Sequence, residues 1–154
     1  MSTAGEIQEA MGEDWLPAIY AAEVRTLRTR SCSIDVPERE NATDIMHTLL
    51  GIELKVGRQR FACPDLSTAR YMQIFARIGC REFAIPYDIT KISTLADRLE
   101  TAWQRSLLVL ESQSPTPANR LRGSLLREIR SQLNAIGPGD KMPHFKQSTK
   151  QRPD

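Results

Sequence analysis

The sequence predicts an α+β domain, rich in helix, with a small mixed sheet of three strands. Three observations carry this. A strong hairpin signal spans residues 52–63, and a helical period lies between that hairpin and a short apolar strand. Two long amphipathic segments then close the chain. The chain has 154 residues, 40% hydrophobic and 26% charged, which suits a single domain with a buried core. Residues 1–137 are read as that domain, and residues 138–154 as a mobile basic tail.

Residues 1–24 carry Glu6, Glu9, Glu13, Asp14 and Glu23 without a basic residue, and no apolar h-region for a secretory signal. Asp14 is placed to cap a helix with Pro17 in its first turn; Leu16, Ile19, Tyr20, Glu23 and Leu27 share one face to about Arg28. Ser31 to Val36 alternates as a short strand or a loop, and Pro37 ends it. Asn41 is read as the cap of a short helix to Leu50, stopped by Gly51, with His47 one turn from Asp44.

Ile52–Cys63 gives a hairpin around a type II′ turn at Gly57-Arg58. Its register sets Leu54 against Phe61, Ile52 against Cys63, and Lys55 against Arg60. Two like charges facing each other call for an acidic neighbour or full solvation. Asp65 or Ser67 caps the next helix, with Tyr71, Ile74, Phe75 and Ile78 on its core face and Gly79 as its stop. Arg81 to Ile85 is an apolar strand closed by Pro86. A right-handed crossover would set it parallel to the hairpin. Ser93 is read as the cap of a helix to about Ser112. Thr116-Pro117 opens the last helix, whose inner face is Leu121, Leu125, Ile129, Leu133 and Ile136. These two helices are expected to form a C-terminal antiparallel hairpin.

The composition excludes several classes of function. No apolar run approaches the roughly 18 residues of a membrane span, and phosphate loops, dinucleotide fingerprints and nucleophile elbows are absent from the sequence. Cys32, Cys63 and Cys80 form no C-x-x-C pair. A helix between the last two would hold them about 20 Å apart, so three reduced thiols are expected. No cofactor is called for, and the location read from composition is cytoplasmic.

The leading reading is a non-enzymatic interaction or regulatory protein. Leu107 to Leu110 wrap right round their helix, so Trp103, Leu107, Leu108 and Leu110 are the candidate interface with a protein partner or a second copy. The alternative is a nucleic-acid-binding protein using Lys55, Arg58, Arg60, Arg70, Arg77, Arg120, Arg127 and Arg130 against phosphates. Its enzymatic variant starts from Glu53-x-Lys55. On a strand both side chains share a face, where a carboxylate holds a divalent metal and a lysine steadies a water. With Glu23 and Asp35 upstream, the order resembles the PD-(D/E)xK nucleases, although Pro64-Asp65 follows the lysine instead of preceding it. That resemblance implies a metal held among these carboxylates. A last candidate, Tyr87 to Lys91, follows the strand at its carboxyl end, where Asp88 and Thr90 read as capping residues.

Overall fold

The computed structural model describes residues 4–113 and 119–139. The expected tail beyond 139 and the Thr116-Pro117 helix start lie outside them. The fold is α+β, but with two antiparallel sheets in place of one mixed sheet. Strands β2 (Thr43–Thr48), β3 (Gly51–Val56) and β4 (Gln59–Cys63) form one sheet, and β1 (Thr29–Ser33) pairs with β5 (Glu82–Pro86) in the other. The helices are α1 (Ala4–Met11), α2 (Leu16–Ile19), α3 (Leu66–Ile78), α4 (Ile89–Gln113) and α5 (Asn119–Ile136).

The hairpin has the expected register: Leu54 opposes Phe61, Ile52 opposes Cys63, and Lys55 opposes Arg60. Gly57 takes φ 60° while Arg58 stays out of the left-handed region, the pattern of a type II′ turn. Helix α3 is also as read. The Asp65 carboxylate accepts the Thr68 N–H at 2.7 Å, and Gly79 ends the helix at φ 84°. A Cβ at Gly79 would collide with the Arg39 backbone, so glycine is required there for space as well as for conformation.

Four readings are corrected. Residues 43–48 are not a helix but β2, antiparallel to β3 around the two-residue turn Leu49-Leu50. Thr43, Ile45 and Thr48 are β-branched, and pairing with β3 outweighs a weak local helical preference. His47 and Asp44, three apart on a strand, therefore point to opposite faces. At the N-terminus, residues 4–11 form α1. The cap position before α2 is Trp15 instead of Asp14, and α2 runs on into a π-helical turn, Tyr20–Val24. Helix α4 starts at Ile89, four residues before Ser93; Asp88 Oδ1 accepts the Thr90 N–H at 3.0 Å and its hydroxyl at 2.6 Å. Lastly, α4 packs on α3, α1 and α2, while α5 packs on α1, α2, α3 and β5. Each of the last two helices thus packs mainly on earlier elements, and their expected antiparallel pairing is not a principal contact.

The crossover strand fails to join the hairpin for an identifiable reason. The pairing of Arg28 with Tyr87 and of Ile34 with Arg81 at the two ends of the ladder leaves Ala84 with its backbone groups turned away from β1. Those groups are occupied. The Ala84 N–H donates to the Tyr20 hydroxyl at 2.8 Å, and the Tyr71 hydroxyl donates to the Ala84 carbonyl at 2.6 Å. On the same edge the Cys80 thiol donates to the Glu82 carbonyl at 3.3 Å, and Pro86 has no N–H to offer. Two buried tyrosines close the edge that a parallel neighbour would need. Tyr20 and Tyr71 sit in an aromatic cluster with Phe75 and Phe83, the last two stacked with centroids 4.2 Å apart.

Candidate interaction surface

The apolar band on α4 is mostly covered by the chain itself. Trp103 (2% exposed) and Leu110 belong to the core, and Leu107 is half-buried against it; Leu108 alone of the four is open, at 64%. Trp103 and Leu110 are therefore not interface residues. Part of the cover is α1, which packs on α4 and which the sequence reading noted only as part of an acidic segment. Asp14, expected as a cap, instead ties the N-terminal region to α4. Its carboxylate accepts from Arg98 at 2.8 Å and Arg105 at 2.9 Å, and the hydrogen bond from Arg98 holds it below its usual range.

The exposed apolar side chains lie elsewhere. Leu49 and Leu50, at the β2–β3 turn, are fully exposed, with 95% for Leu50. Gly51 is adjacent, Ile52 opposes Cys63 at the end of β4, and Leu66 follows three residues later. Partly exposed Leu66 thus stands at the same end of the sheet. Turn tips normally carry Gly, Asn, Asp or Pro. Two adjacent leucines there, each worth roughly 1.5–3 kcal/mol if buried, are an unmet hydrophobic demand. The sequence reading missed them by placing Leu50 at a helix end.

Three of the eight basic candidates are engaged by the chain's own carboxylates. Arg60 pairs with Glu53 at 3.5 Å, Arg70 with Asp97, and Arg77 with both oxygens of Glu100 at 2.9 and 3.0 Å. Lys55 faces Asp44 on β2 as well as Arg60 on β4, so acidic neighbours flank the like-charged pair. Arg130 donates to the Ile78 carbonyl at 2.9 Å, and its partial burial lowers its pKa. Arg58, Arg120 and Arg127 remain exposed, on the hairpin turn and on α5.

The carboxylates of the nuclease-like order are not gathered. Glu53 pairs with Arg60, Glu23 pairs with Arg98 at 3.2 Å, and Asp35 is exposed beyond β1. Among the described residues, no group of three His, Cys, Asp or Glu side chains is placed to hold a metal ion. The metal cluster that the resemblance implies is therefore not assembled from these side chains.

Burial raises the thiol pKa values of Cys32 and Cys63 and pushes that of Cys80 up to about 11, so all three stay protonated. All three are free. At the Tyr87–Lys91 segment Arg28 lies over the Tyr87 ring at 4.9 Å. An open cleft of about 380 Å³ is lined there by Leu27, Arg28, Pro86, Tyr87, Asp88 and Lys91. Asp88 is engaged by Thr90 as the cap residue it was read to be.

Among the described residues no helix is long and apolar enough to cross a membrane. Comparison with known proteins finds no match among family models, curated proteins or solved structures.

Proposed function

We propose that the protein is a non-enzymatic interaction protein whose docking end is the leucine-bearing tip of the three-stranded sheet. The observation that supports this is the full exposure of adjacent Leu49 and Leu50 at a hairpin turn, where neither packs on the core. The interface expected on α4 gives way to this one, because most of that band is already buried. Its buried thiols are poor nucleophiles. Of the eight basic residues of the nucleic-acid alternative, Arg60, Arg70 and Arg77 already pair with Glu53, Asp97 and Glu100, while Arg58, Arg120 and Arg127 are exposed.

The test is a double substitution, Leu49→Ser with Leu50→Ser. Light scattering and sedimentation of the wild-type chain should show a species larger than the monomer, either self-associated or with a copurifying protein. The double variant should lose that species and keep its melting temperature. A wild-type chain that stays a lone monomer would overturn the reading, as would one whose assembly ignores both substitutions.

A further inference from the structure

The interaction reading leaves open what the partner is, and the backbone next to the leucine tip restricts the answer. In a hairpin with a two-residue loop, the residues flanking the loop form a hydrogen-bonded pair. Thr48 and Gly51 flank Leu49-Leu50, so Thr48, Met46 and Asp44 turn their backbone groups toward β3. The same rule at Gly57-Arg58 points Val56, Leu54 and Ile52 toward β4, and the two assignments agree. It follows that Thr43, Ile45 and His47 point their N–H and C=O groups away from the sheet. Among the described residues only one of these groups meets a partner: the Ile45 N–H donates to Asp44 Oδ1 at 2.9 Å, an exposed contact with the neighbouring side chain.

Three further sheet edges exist, and they differ from that of β2. Tyr20, Tyr71, Cys80 and Pro86 close that of β5. The outward residues of β4, Arg60 and Ala62, are exposed, and Arg60 sets a charge on that edge. At the opposite end of the order β2-β3-β4, β2 looks out of the molecule, and the exposed leucines continue directly from it.

We propose that β2 pairs antiparallel with β2 of a second copy of this chain, with Ile45 on the two-fold axis, joining two three-stranded sheets into one. The proposal rests on the interaction reading above and names its partner. Self-pairing is required to match outward-facing residues with outward-facing residues, which leaves few registers. Centring on Asp44 would set two carboxylates face to face, a destabilising cross-strand pair. Centring on Met46 leaves Thr43 opposite the turn residue Leu49. Centring on Ile45 pairs Thr43 with the partner's His47, Ile45 with Ile45 and His47 with the partner's Thr43. Every outward group of the strand is then used, and Asp44 faces the partner's Met46 without like charge. The Ile45 N–H moves from its own Asp44 carboxylate to the partner's Ile45 carbonyl, so Asp44 acts as a removable guard on the edge.

The test combines sedimentation equilibrium with backbone amide exchange read by NMR in dilute and concentrated solutions of the full chain. The proposal expects a dimer in which the Thr43, Ile45 and His47 amides exchange about tenfold or more slowly than in the monomer, while those of Arg60 and Ala62 do not change. His47→Pro removes an outward donor that β3 does not use, and the side chain lost is exposed. It should weaken the dimer by about tenfold or more, because the two-fold axis repeats each lost bond. Asp44→Ala, which removes the guard, should strengthen it; Leu108→Ser should leave it unchanged. A chain monomeric at every concentration overturns the pairing, and binding of a different protein through Leu49 and Leu50 would then still uphold the interaction reading. A dimer indifferent to His47→Pro, with outward amides exchanging at the monomer rate, also overturns it.

Discussion

β5 and β2 both end a sheet, and the molecule treats their outer edges in opposite ways. At β5 the backbone groups that face away from β1 are met by the Tyr20 and Tyr71 hydroxyls, the Cys80 thiol and a proline. Phe83, Ala84 and Ile85 are buried there. At β2 the corresponding groups meet only an exposed aspartate, and the strand runs into two uncovered leucines. A buried backbone group without a partner costs far more than a solvated one. The interior edge is therefore satisfied by side chains fixed in the core, while the exterior edge is left to water or to another chain. Edge accessibility, more than strand propensity, separates a strand sealed into the core from one left open here.

The largest test of this contrast exchanges the same residue at both edges. Ala84→Pro puts a ring against the Tyr20 hydroxyl and removes the buried N–H, and should destabilise by about 3 kcal/mol or more in urea unfolding. His47→Pro at the open edge should cost a small fraction of that. Equal losses at the two sites would remove the distinction.

Next in size is Tyr71→Phe, which deletes the hydroxyl that the Ala84 carbonyl accepts and should cost about 1–3 kcal/mol because the carbonyl is left buried and unmatched. Tyr20 has the same role from the other side, and burial raises its pKa to about 12, so the edge stays closed across the physiological range. A loss in Tyr71→Phe no greater than that of an exposed Thr→Val change would show that water replaces the hydroxyl.

A smaller effect sharpens the open side. Glu40, just before β2, accepts from Arg122 of α5 at 2.7 Å through Nε, and this hydrogen bond holds its pKa below the ordinary 4.5. A lowered folded-state value means that the contribution is present at neutral pH and lost as pH falls through the depressed pKa. Stability should therefore decline on acidification below 4.5, and Arg122→Leu should flatten part of that decline. A variant whose acid unfolding curve overlays the wild type would exclude the pair as a contributor.

The smallest expected difference is chemical. The Cys80 thiol, engaged at the closed edge and shifted to about 11, should react with a thiol reagent at neutral pH more slowly than half-buried Cys32. Mass mapping of the first-modified residue reads this directly.

Local chemistry settled a definite part of this protein. The Gly57-Arg58 turn and its flanking alternation, the Asp65 cap, the Gly79 stop and the inward leucines of α5 are all short-range signals, and each sits where its residues place it. A turn type or a cap depends on a few contiguous side chains, so neighbours along the chain are enough to read it. The fate of Thr43 to Thr48, the partner of β5 and the cover over α4 depend on residues remote in sequence. Nothing near Ala84 reveals that tyrosines at positions 20 and 71 will take its backbone groups, and nothing near Trp103 reveals that α1 will pack against its helix. The candidate site divided along the same line. Exposure is a property of what fails to arrive at a surface, so the apolar band at Leu107–Leu110, conspicuous in sequence, is mostly interior, while Leu49 and Leu50 stand uncovered because nothing else in the described fold packs on that turn.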